Sequence, residues 1–535
     1  MRKLIINGKE ITAVNVTFGG TAAEKYAASE MRKYLSRTAA VKTTNGDYPI
    51  TLSIDPSIGR DGFVIKPCGE AGLHITGGNG RGVIYGVYEF FEHFAGCRFF
   101  MPGLETLGEG DIVVDEEYAY TPVLEFRQSD WSCGSDLAWS VKNKINNRTI
   151  PHRVEFPGAM GGCQKYAGGY FAHTMTPFTG EEIPCLSDPK TLQKAIASVR
   201  DLLKSDPTAT IVTVSQNDGY DHCTCEKCRA VEEEEGSPMG PLLRFVNAVA
   251  DDIAQDYPNV AIDTLSYVYT RKPPRITRPR PNVCVRLCTF ECCFIHPLSD
   301  PTCPENRKFV EDITAWNKIC DRIYIWDYVT NFVYSVAPFP NFETLHANMR
   351  FFADHGMKGI YPEGNFFYGQ QSGEFGELRC YLLAKLMWNP YMSAAEYDRH
   401  MNEFLAAYYG AGWQSIRAFI DFTAKEAKTQ HFGIANRPFE MIPRERYEAM
   451  ETTIDGWWDN AEALAGDRAE AVKRSRMQWR YIKLMLRPDA AEGQRFIDDL
   501  VAYNIAWSEW KSFPEDYDFT ETPDRWLKNY PGLEG

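Results

Sequence analysis

The 535-residue sequence lacks any apolar run close to the ~18 residues of a membrane-spanning helix, so we expect no membrane partner. It also lacks a basic surplus, because 57 lysine and arginine residues stand against 72 aspartate and glutamate residues. The net charge of −15 disfavours contact with phosphate backbones and argues against a nucleic acid partner. Residues 1–16 lack the unbroken apolar core of a signal peptide, since Asn7, Lys9 and Glu10 interrupt it. We therefore expect a cytoplasmic protein, and the oligomeric state stays open.

An H-E-x-x-H motif and a helix with paired histidines are also missing, which argues against a catalytic zinc site. Cysteine, in contrast, is plentiful: there are 15, an odd number, and without an export signal we expect reduced thiols. Cys223, Cys225 and Cys228 lie within six residues and follow His222, a spacing typical of metal ligands. They predict a structural zinc ion whose fourth ligand is His222 or a distant residue. Free thiols that brace a loop are the alternative, and we expect no other cofactor.

Length and composition indicate a globular protein of about three domains. Hydrophobic residues make up 44% of the chain and charged residues 24%, which excludes a disordered or fibrous protein. Residues 1–120 mix helix and strand patterns, with a helix predicted over Ala22–Leu35 and short strands from Gly62 and Leu73. The glycine-rich stretch 77–82 lacks G-x-G-x-x-G spacing, so we interpret it as a tight turn before a helix over Val83–Phe94. This segment predicts an α+β N-terminal domain.

Residues 121–395 alternate short β-rich runs with amphipathic helices. The candidate strands are Leu124–Arg127, Gly169–Ala172, Ile183–Leu186, Thr210–Ser215, Ala261–Tyr267, Val283–Cys288, Ile323–Trp326 and Lys358–Tyr361. The candidate helices among them are Asp188–Ser205, Pro241–Asp256, Glu305–Asp321 and Phe342–His355. This alternation predicts an α/β fold with a (β/α)8 TIM-type barrel, and an open doubly wound sheet is the alternative. Residues 396–535 show helical patterns, as at Arg444–Ala465 and Asp467–Leu486, and predict a helical C-terminal domain.

Four acidic residues lie at or just after predicted strand ends, where the loops of a barrel converge on one mouth. Asp218 follows the fourth strand, Glu291 the sixth, Asp327 the seventh and Glu363 the eighth. Glycoside cleavage needs two carboxyl groups, one as acid and one as base or nucleophile. We interpret Asp218 as the general acid and Glu291 as the favoured second carboxylate, with Asp327 and Glu363 as further catalytic candidates. Each has a structural alternative: a turn residue for Asp218 and Glu363, a buried ion pair for Glu291, and a helix cap or an ion pair for Asp327.

Polar and aromatic side chains near the same strand ends are candidates for binding a carbohydrate. Residues able to bind hydroxyl groups or to stack on a sugar ring are Arg127, Trp131, His173, Asn217, Tyr267, Trp326, Tyr328 and Asn331. Together with the four acidic residues, this set gives a barrel mouth rich in acids and aromatics, with scarcely any lysine. The set therefore fits a neutral or modified sugar better than a substrate that carries phosphate.

Long motifs in the chain resemble known glycosidase-like proteins. The segment GGNGRGVIYGVYEFFEHFAGCRFFMPG resembles the end of the N-terminal domain of glycoside hydrolase family 67 alpha-glucuronidases, which in turn resembles the domain before the barrel in bacterial hexosaminidases. The stretches SQNDGYDHCTCEKC, ECCFIHPL, YIWDYVTNFVYSVAPFPN and GEFGELRCYLLAKLMWNP resemble the bacterial domain of unknown function 4838. Some members of that group are assigned as endo-beta-N-acetylglucosaminidases of glycoside hydrolase family 163. The resemblance implies a glycosidase barrel in which Asn217 contacts the sugar's 2-substituent and Asp218 donates the proton.

These observations lead to one functional hypothesis and two rivals. We expect a glycoside hydrolase that acts on an oligo- or polysaccharide, such as an N-acetylhexosaminide or a uronide, by carboxylate acid/base catalysis. A barrel that binds carbohydrate without cleaving it is the first rival. A metal-dependent hydrolase built on Cys223, Cys225 and Cys228 is the second.

Overall fold

The computed structural model describes residues 2–147, 155–364 and 371–505. The chain divides into two units, one of Met1–Gln128 with Cys133–Gln164 and the other of Ser129–Ser132 with Lys165–Gly535. No helix among the described residues is long and apolar enough to cross a bilayer. The predicted boundary near residue 120 and the separate domain over 396–535 stay predictions, and residues 506–535 lie outside the described part.

The first unit is built around a mixed five-stranded sheet of order β10-β5-β6-β4-β3. Its strands are β1 (Leu4–Ile6), β2 (Lys9–Ile11), β3 (Val14–Phe18), β4 (Tyr48–Ile54), β5 (Phe63–Pro67), β6 (Leu73–Gly77), β7 (Arg98–Met101), β8 (Leu104–Thr106), β9 (Ile112–Val114), β10 (Tyr118–Tyr120) and β11 (Phe126–Arg127). Its helices are α1 (Ala22–Thr38), α2 (Gly80–Glu89) and α3 (Leu137–Lys142), and a π-helical turn over Phe90–Phe94 continues α2. The predicted helices over Ala22–Leu35 and Val83–Phe94 are thus present.

Close backbone approach explains the glycine-rich turn between β6 and α2. A Cβ atom on Gly78 would lie 1.7 Å from the Gly59 carbonyl oxygen, and one on Gly82 would lie 2.2 Å from the Gly62 carbonyl oxygen. Neither distance leaves room for a side chain. The Asn79 side chain caps α2 by accepting a 2.8 Å hydrogen bond from Gly82 N. The glycines therefore serve packing, as expected for a tight turn.

The second unit contains a parallel sheet in which β12 to β16 are neighbours in chain order. Its strands are β12 (Ile211–Thr213), β13 (Ala261–Ser266), β14 (Val283–Cys288), β15 (Ile323–Tyr328) and β16 (Gly359–Glu363). Its helices are α4 (Met175–Thr179), α5 (Pro189–Ser205), α6 (Glu226–Glu235), α7 (Met239–Ile253), α8 (Pro304–Trp316), α9 (Phe342–Asp354), α10 (Gly376–Trp388), α11 (Ala394–Tyr409), α12 (Trp413–Ala427), α13 (Pro438–Met441), α14 (Arg444–Leu464), α15 (Ala469–Leu486) and α16 (Ala490–Ala502). Burial of nearly every strand residue is typical of a parallel sheet covered by helices. The predicted α/β class with a TIM-type sheet is confirmed.

Two of the predicted barrel strands are wrong. Residues 169–172 follow a 3-10 turn at Ala167–Gly169, in which Gly168 and Gly169 adopt left-handed φ values of 62° and 71°. That backbone cannot continue a strand, and the residue that bridges β12 is Tyr166, opposite Ile211. Residues 183–186 form a loop without strand pairing. Both segments have a strand-like composition, but the neighbouring turns determine their backbone conformation.

Candidate functional site

The carboxyl ends of β12 to β16 bring polar and aromatic side chains together, because parallel strands end at the same edge of a sheet. The register places Trp326 opposite Tyr361 and Tyr328 opposite Glu363. Paired residues on neighbouring strands share a face, so these side chains lie on one face of the sheet. Asp327, between Trp326 and Tyr328, lies on the other face.

Asp218 stands at one end of this region, exposed in the Asn-Asp-Gly turn after β12. The Tyr267 hydroxyl donates a 3.1 Å hydrogen bond to Asp218 Oδ1, which also accepts a 2.9 Å bond from Gly219 N. Burial raises the pKa of Tyr267 well above its ordinary value, and the nearby Asp218 carboxylate acts in the same direction. Tyr267 therefore stays protonated and holds Asp218 Oδ1, while Asp218 Oδ2 accepts no hydrogen bond from the described residues.

Four rings run from Asp218 to Glu363, and we call Tyr267, Phe290, Tyr328 and Trp326 the aromatic arc. Ring centroids lie 5.4 Å apart for Tyr267 and Phe290, 5.4 Å for Phe290 and Tyr328, and 6.3 Å for Tyr328 and Trp326. At its far end Trp326 Nε1 donates a 2.7 Å hydrogen bond to Glu363 Oε2. The aromatic arc thus connects two carboxylates through an unbroken series of contacts.

The other two predicted carboxylates lie outside the arc. Glu291 follows Phe290 but forms an ion pair with Arg271, with 2.6 Å between Glu291 Oε2 and Arg271 Nη1. The Glu291 side chain is 40% exposed. Asp327 is buried and accepts a 2.7 Å hydrogen bond from Thr289 Oγ1. Burial raises the pKa of Asp327 to about 6, against the opposing effect of hydrogen bonds from Thr289 and Tyr328 N.

His173 and Asn217 lie beside the Asp218 end of the arc. The His173 ring is 6.3 Å from that of Tyr267, and its Nδ1 lies 3.0 Å from the Gln216 carbonyl oxygen. Asn217 Nδ2 donates 2.7 Å hydrogen bonds to Thr176 Oγ1 and to the Glu182 carbonyl oxygen. Asn217 therefore braces the loop before α5, and its amide hydrogens are already used.

Three further predicted sugar ligands are buried. Arg127 is fully buried in the first unit and donates a 2.9 Å hydrogen bond to Asp61. Trp131 lies under Gly364, at which an added Cβ would come within 2.6 Å of the indole. Asn331 Oδ1 accepts hydrogen bonds from Val333 N and Tyr334 N, at 3.0 and 2.7 Å.

The predicted cysteine cluster has a fourth member, Cys185. The Sγ atoms of Cys185, Cys223, Cys225 and Cys228 all lie within 4.8 Å of one another, and Cys185 is 3.6 Å from Cys225 and 3.8 Å from Cys228. Zn–S bonds of about 2.3 Å in a tetrahedron place sulfur atoms about 3.8 Å apart, so the four thiols fit a zinc ion. The backbone N–H of Cys228 lowers the pKa of the Cys225 thiol to about 7, which favours a thiolate.

His222, the predicted alternative ligand, points elsewhere. Its Nε2 lies 3.2 Å from Glu232 Oε1, and its ring stacks on Tyr269 with centroids 4.5 Å apart. Cys185, 40 residues before Cys225, takes its place in the cluster. Spacing along the chain could not identify this ligand, because it comes from a separate loop.

Residues 108–421 match the family described as domain of unknown function DUF4838, over more than half of the chain. The chain belongs to the DUF4838 family. A solved family GH115 4-O-methyl-alpha-glucuronidase, BtGH115A, with specificity for decorated arabinogalactans, has a similar fold: TM-score 0.59 and 12% identity, covering 98% of this chain and 80% of that one. A family 89 glycoside hydrolase from Clostridium perfringens, in complex with PUGNAc, has TM-score 0.51 and 10% identity, covering 89% of this chain and 65% of that one. A search of curated proteins found no match. This DUF4838 protein therefore has a glycosidase-like fold.

A buried ion pair lies beneath the arc in the DUF4838 protein, and sequence reasoning missed it. Arg286 pairs with Asp263 on the neighbouring strand, and Thr213 Oγ1 donates a 2.5 Å hydrogen bond to the same carboxylate. The Arg286 guanidinium stacks 3.9 Å from the centre of the Phe171 ring, which packs 5.2 Å from Trp326. Alternate polar residues in otherwise apolar strands were the available signal. The pair supports the Trp326 end of the arc from below.

A charged cleft of about 730 Å³ lies among α14, α15 and α16 of this DUF4838 protein, away from the strand ends. Most of its basic residues are paired with acids of the same cleft: Arg476 with Glu462 at 2.9 Å and Lys483 with Asp455 at 3.0 Å, for example. This pattern indicates an ion-pair network that joins the helices. The strand ends therefore remain the candidate site.

Proposed function

We propose that this DUF4838 protein is a glycoside hydrolase of oligo- or polysaccharides that uses Asp218 and Glu363 as its two carboxyl groups. The observation that carries the proposal is the aromatic arc, which connects these carboxylates and in which the Phe290 and Trp326 rings are partly exposed. Glu363 thereby replaces Glu291 as the second carboxylate, because Glu291 is held by Arg271. The glycosidase-like fold supports the same reaction class.

The hydrogen bonds at the two ends suggest different roles for the two acids. Tyr267 holds Asp218 Oδ1, so Asp218 Oδ2 is the oxygen that would carry a proton to the glycosidic oxygen. An indole N–H only donates, and it therefore orients Glu363 as an acceptor, the form that attacks the anomeric carbon or activates water. Asp218 is thus the general acid of the proposal and Glu363 the base or nucleophile.

The arc also favours an uncharged sugar. Aromatic faces stack on the C–H surface of a pyranose ring, and Trp326, the partly exposed ring beside Glu363, can offer such a face. Arg271 and Arg286, two cations close to the arc, are already paired with Glu291 and Asp263. A uronide carboxylate would need a cation of its own, so we favour an N-acetylhexosaminide or a neutral glycoside.

Activity measurements on matched amide variants test the proposal. Wild type, Asp218→Asn, Glu363→Gln and Glu291→Gln are compared on nitrophenyl hexosaminides, neutral glycosides and uronides, and on N-glycans. Asp218→Asn and Glu363→Gln should each lower kcat by ~10²–10⁴-fold with Tm retained, because each removes one proton-transfer or nucleophilic group. Glu291→Gln, the control, should change kcat less than about threefold, since a partly exposed ion pair is weak.

Two results would contradict this assignment. Full turnover by Asp218→Asn and Glu363→Gln would remove both carboxylates from the chemistry. Saturable binding of glycans without turnover by the wild type would favour the carbohydrate-binding rival.

We also propose that Cys185, Cys223, Cys225 and Cys228 hold a structural zinc ion. Four thiolates complete a tetrahedral shell and leave no position for water or substrate. This ligand set speaks against the metal-dependent hydrolase.

A further inference from the structure

A second group of metal-ligating side chains lies outside both sites described above. The Sγ atoms of Cys293 and Cys303 and the ring nitrogens of His296 and His431 all lie within 4.8 Å of one another. Cys293 Sγ is 3.5 Å from His296 Nδ1, and Cys303 Sγ is 3.7 Å from His431 Nδ1. Both cysteines are buried, with 2% and 1% of their surface exposed.

We propose that these four residues bind a second zinc ion, as a Cys2His2 site. Zn–S bonds of about 2.3 Å and Zn–N bonds of about 2.0–2.1 Å in a tetrahedron place neighbouring ligand atoms about 3.4–3.8 Å apart. Both measured sulfur–nitrogen distances fall in that range. Two thiolates also balance the charge of one Zn²⁺, so the bound site is neutral, which suits the buried positions of the two cysteines.

The surroundings of His296 orient it for this role. Its Nε2 lies 3.0 Å from the Lys428 carbonyl oxygen, an acceptor, so the ring proton resides on Nε2 and the Nδ1 lone pair faces the cysteines. The loop itself is fixed by fully buried Asn306, which accepts a 2.8 Å hydrogen bond from Cys293 N and donates 3.2 and 2.9 Å bonds to the carbonyl oxygens of Cys293 and His296. Support of this kind is typical of the residues around metal-binding histidines.

Glu305 lies next to the cluster. Its Oε2 is 2.7 Å from His431 Nδ1 and 3.4 Å from Cys303 Sγ. Its side chain is 42% exposed, so it can turn towards solvent when His431 binds the ion.

The proposed ion would fasten two distant parts of the second unit. Cys293, His296 and Cys303 lie on the connection between β14 and α8, whereas His431 follows α12 and is 128 residues beyond Cys303. Phe294 N already donates a 3.0 Å hydrogen bond to the Phe432 carbonyl oxygen beside it. Phe290, in the aromatic arc, belongs to the same connection. The zinc would therefore hold one wall of the arc against the helical segment.

Zinc content per chain tests the proposal. Tag-free protein, purified without added metal and dialysed, is analysed by elemental mass spectrometry, and zinc release is followed with a colorimetric chelator as thiols are titrated. Wild type should contain two zinc ions per chain, and His431→Ala and Cys225→Ser should each contain one. His431 is exposed, so its replacement should leave the fold intact. Cys320→Ser, a buried cysteine outside both clusters, should retain two ions.

The variants distinguish the possible results. Two ions in His431→Ala, or one ion in wild type that Cys225→Ser removes, would overturn the Cys2His2 site. One ion in wild type that His431→Ala removes would support it and would instead count against the Cys185 cluster. No zinc in wild type, or a Cys293–Cys303 disulfide found by peptide mapping, would overturn it as well. His431→Cys, which keeps a zinc ligand at this position, should restore the ion lost in His431→Ala.

Discussion

Asp327 is a buried carboxyl group on the face of β15 opposite Trp326 and Tyr328. Because its pKa is about 6 in the folded protein and about 3.9 in an unfolded chain, folding favours its protonated form. That stabilisation is complete below about pH 4 and is lost as the pH rises through 6. Asp327→Asn mimics the protonated form, so its stability relative to wild type should rise by up to about 3 kcal/mol between pH 4 and pH 7.

Urea unfolding at pH 4 and pH 7 measures this change for Asp327→Asn and for Asp321→Asn, an exposed control that should show no such trend. If the stability of Asp327→Asn relative to wild type were the same at pH 4 and pH 7, the raised pKa of Asp327 would be refuted. Turnover by Asp327→Asn should persist, because this side chain points away from the arc.

Tyr267 links the aromatic arc to Asp218 through a single hydroxyl group. Tyr267→Phe should keep the ring contact with Phe290 but lose the hydrogen bond, which is worth ~1.5–3 kcal/mol to a charged group. We expect kcat to fall about tenfold or more, and we expect KM to change less. Tyr391→Phe, at an exposed position, is the control in the same steady-state assay. Equal kinetics for the two variants would show that this hydroxyl does not position the acid.

Helix α1 illustrates what local sequence signals decide. Thr21 Oγ1 accepts a 3.2 Å hydrogen bond from Glu24 N, and the Glu24 carboxylate accepts a 3.0 Å bond from Thr21 N. Thr21→Ala removes half of this capping box and should lower the free energy of unfolding by ~1 kcal/mol. Urea unfolding should show this loss for Thr21→Ala but not for Thr44→Ala, a control at an exposed position. A loss below about 0.3 kcal/mol would mean that packing of α1 alone sets its start.

Local signals of this kind also explain which helices and strands could be predicted from the sequence. Helices with caps or a first-turn proline, such as α5 after Asp188 and α8 from Pro304, begin within a residue or two of the predictions. The central strands β13 and β14 were recognisable from apolar runs between turns. Residues 169–172 and 183–186 were not, because their conformation depends on distant partners rather than on local composition.

At the scale of the whole molecule, some sites are formed by residues from separate loops, and local sequence spacing cannot predict all members of such a site. Asp218, Tyr267, Trp326 and Glu363 were predicted as members of one site from strand ends, a rule that needs only the fold class. Cys185 and His431 were invisible, because each joins its cluster from a remote segment. Glu291 and Asp327 were also predicted at these strand ends, but an arginine partner and the side of the pleat are properties of three-dimensional structure that local spacing does not reveal.

Cys185→Ser tests the first cluster at this scale. The variant should lose one zinc ion, and its Tm should fall by about 2–4 °C for each kcal/mol of lost stability. The control Cys320→Ser should keep its zinc content in elemental analysis and its Tm in thermal unfolding. Glycoside turnover by folded Cys185→Ser should persist, whereas its complete loss would revive the metal-dependent hydrolase.

The Asp263–Arg286 pair constrains how this protein can vary. Replacing one partner alone leaves an unpaired charge in the interior. This costs about 3–5 kcal/mol, a large share of the stability of most domains. Exchanging both for apolar residues of similar volume is often neutral. The exposed Arg280–Asp251 pair carries no such coupling, because water screens each partner. Divergence at positions 263 and 286 should therefore proceed by joint exchange, whereas positions 251 and 280 can drift one at a time.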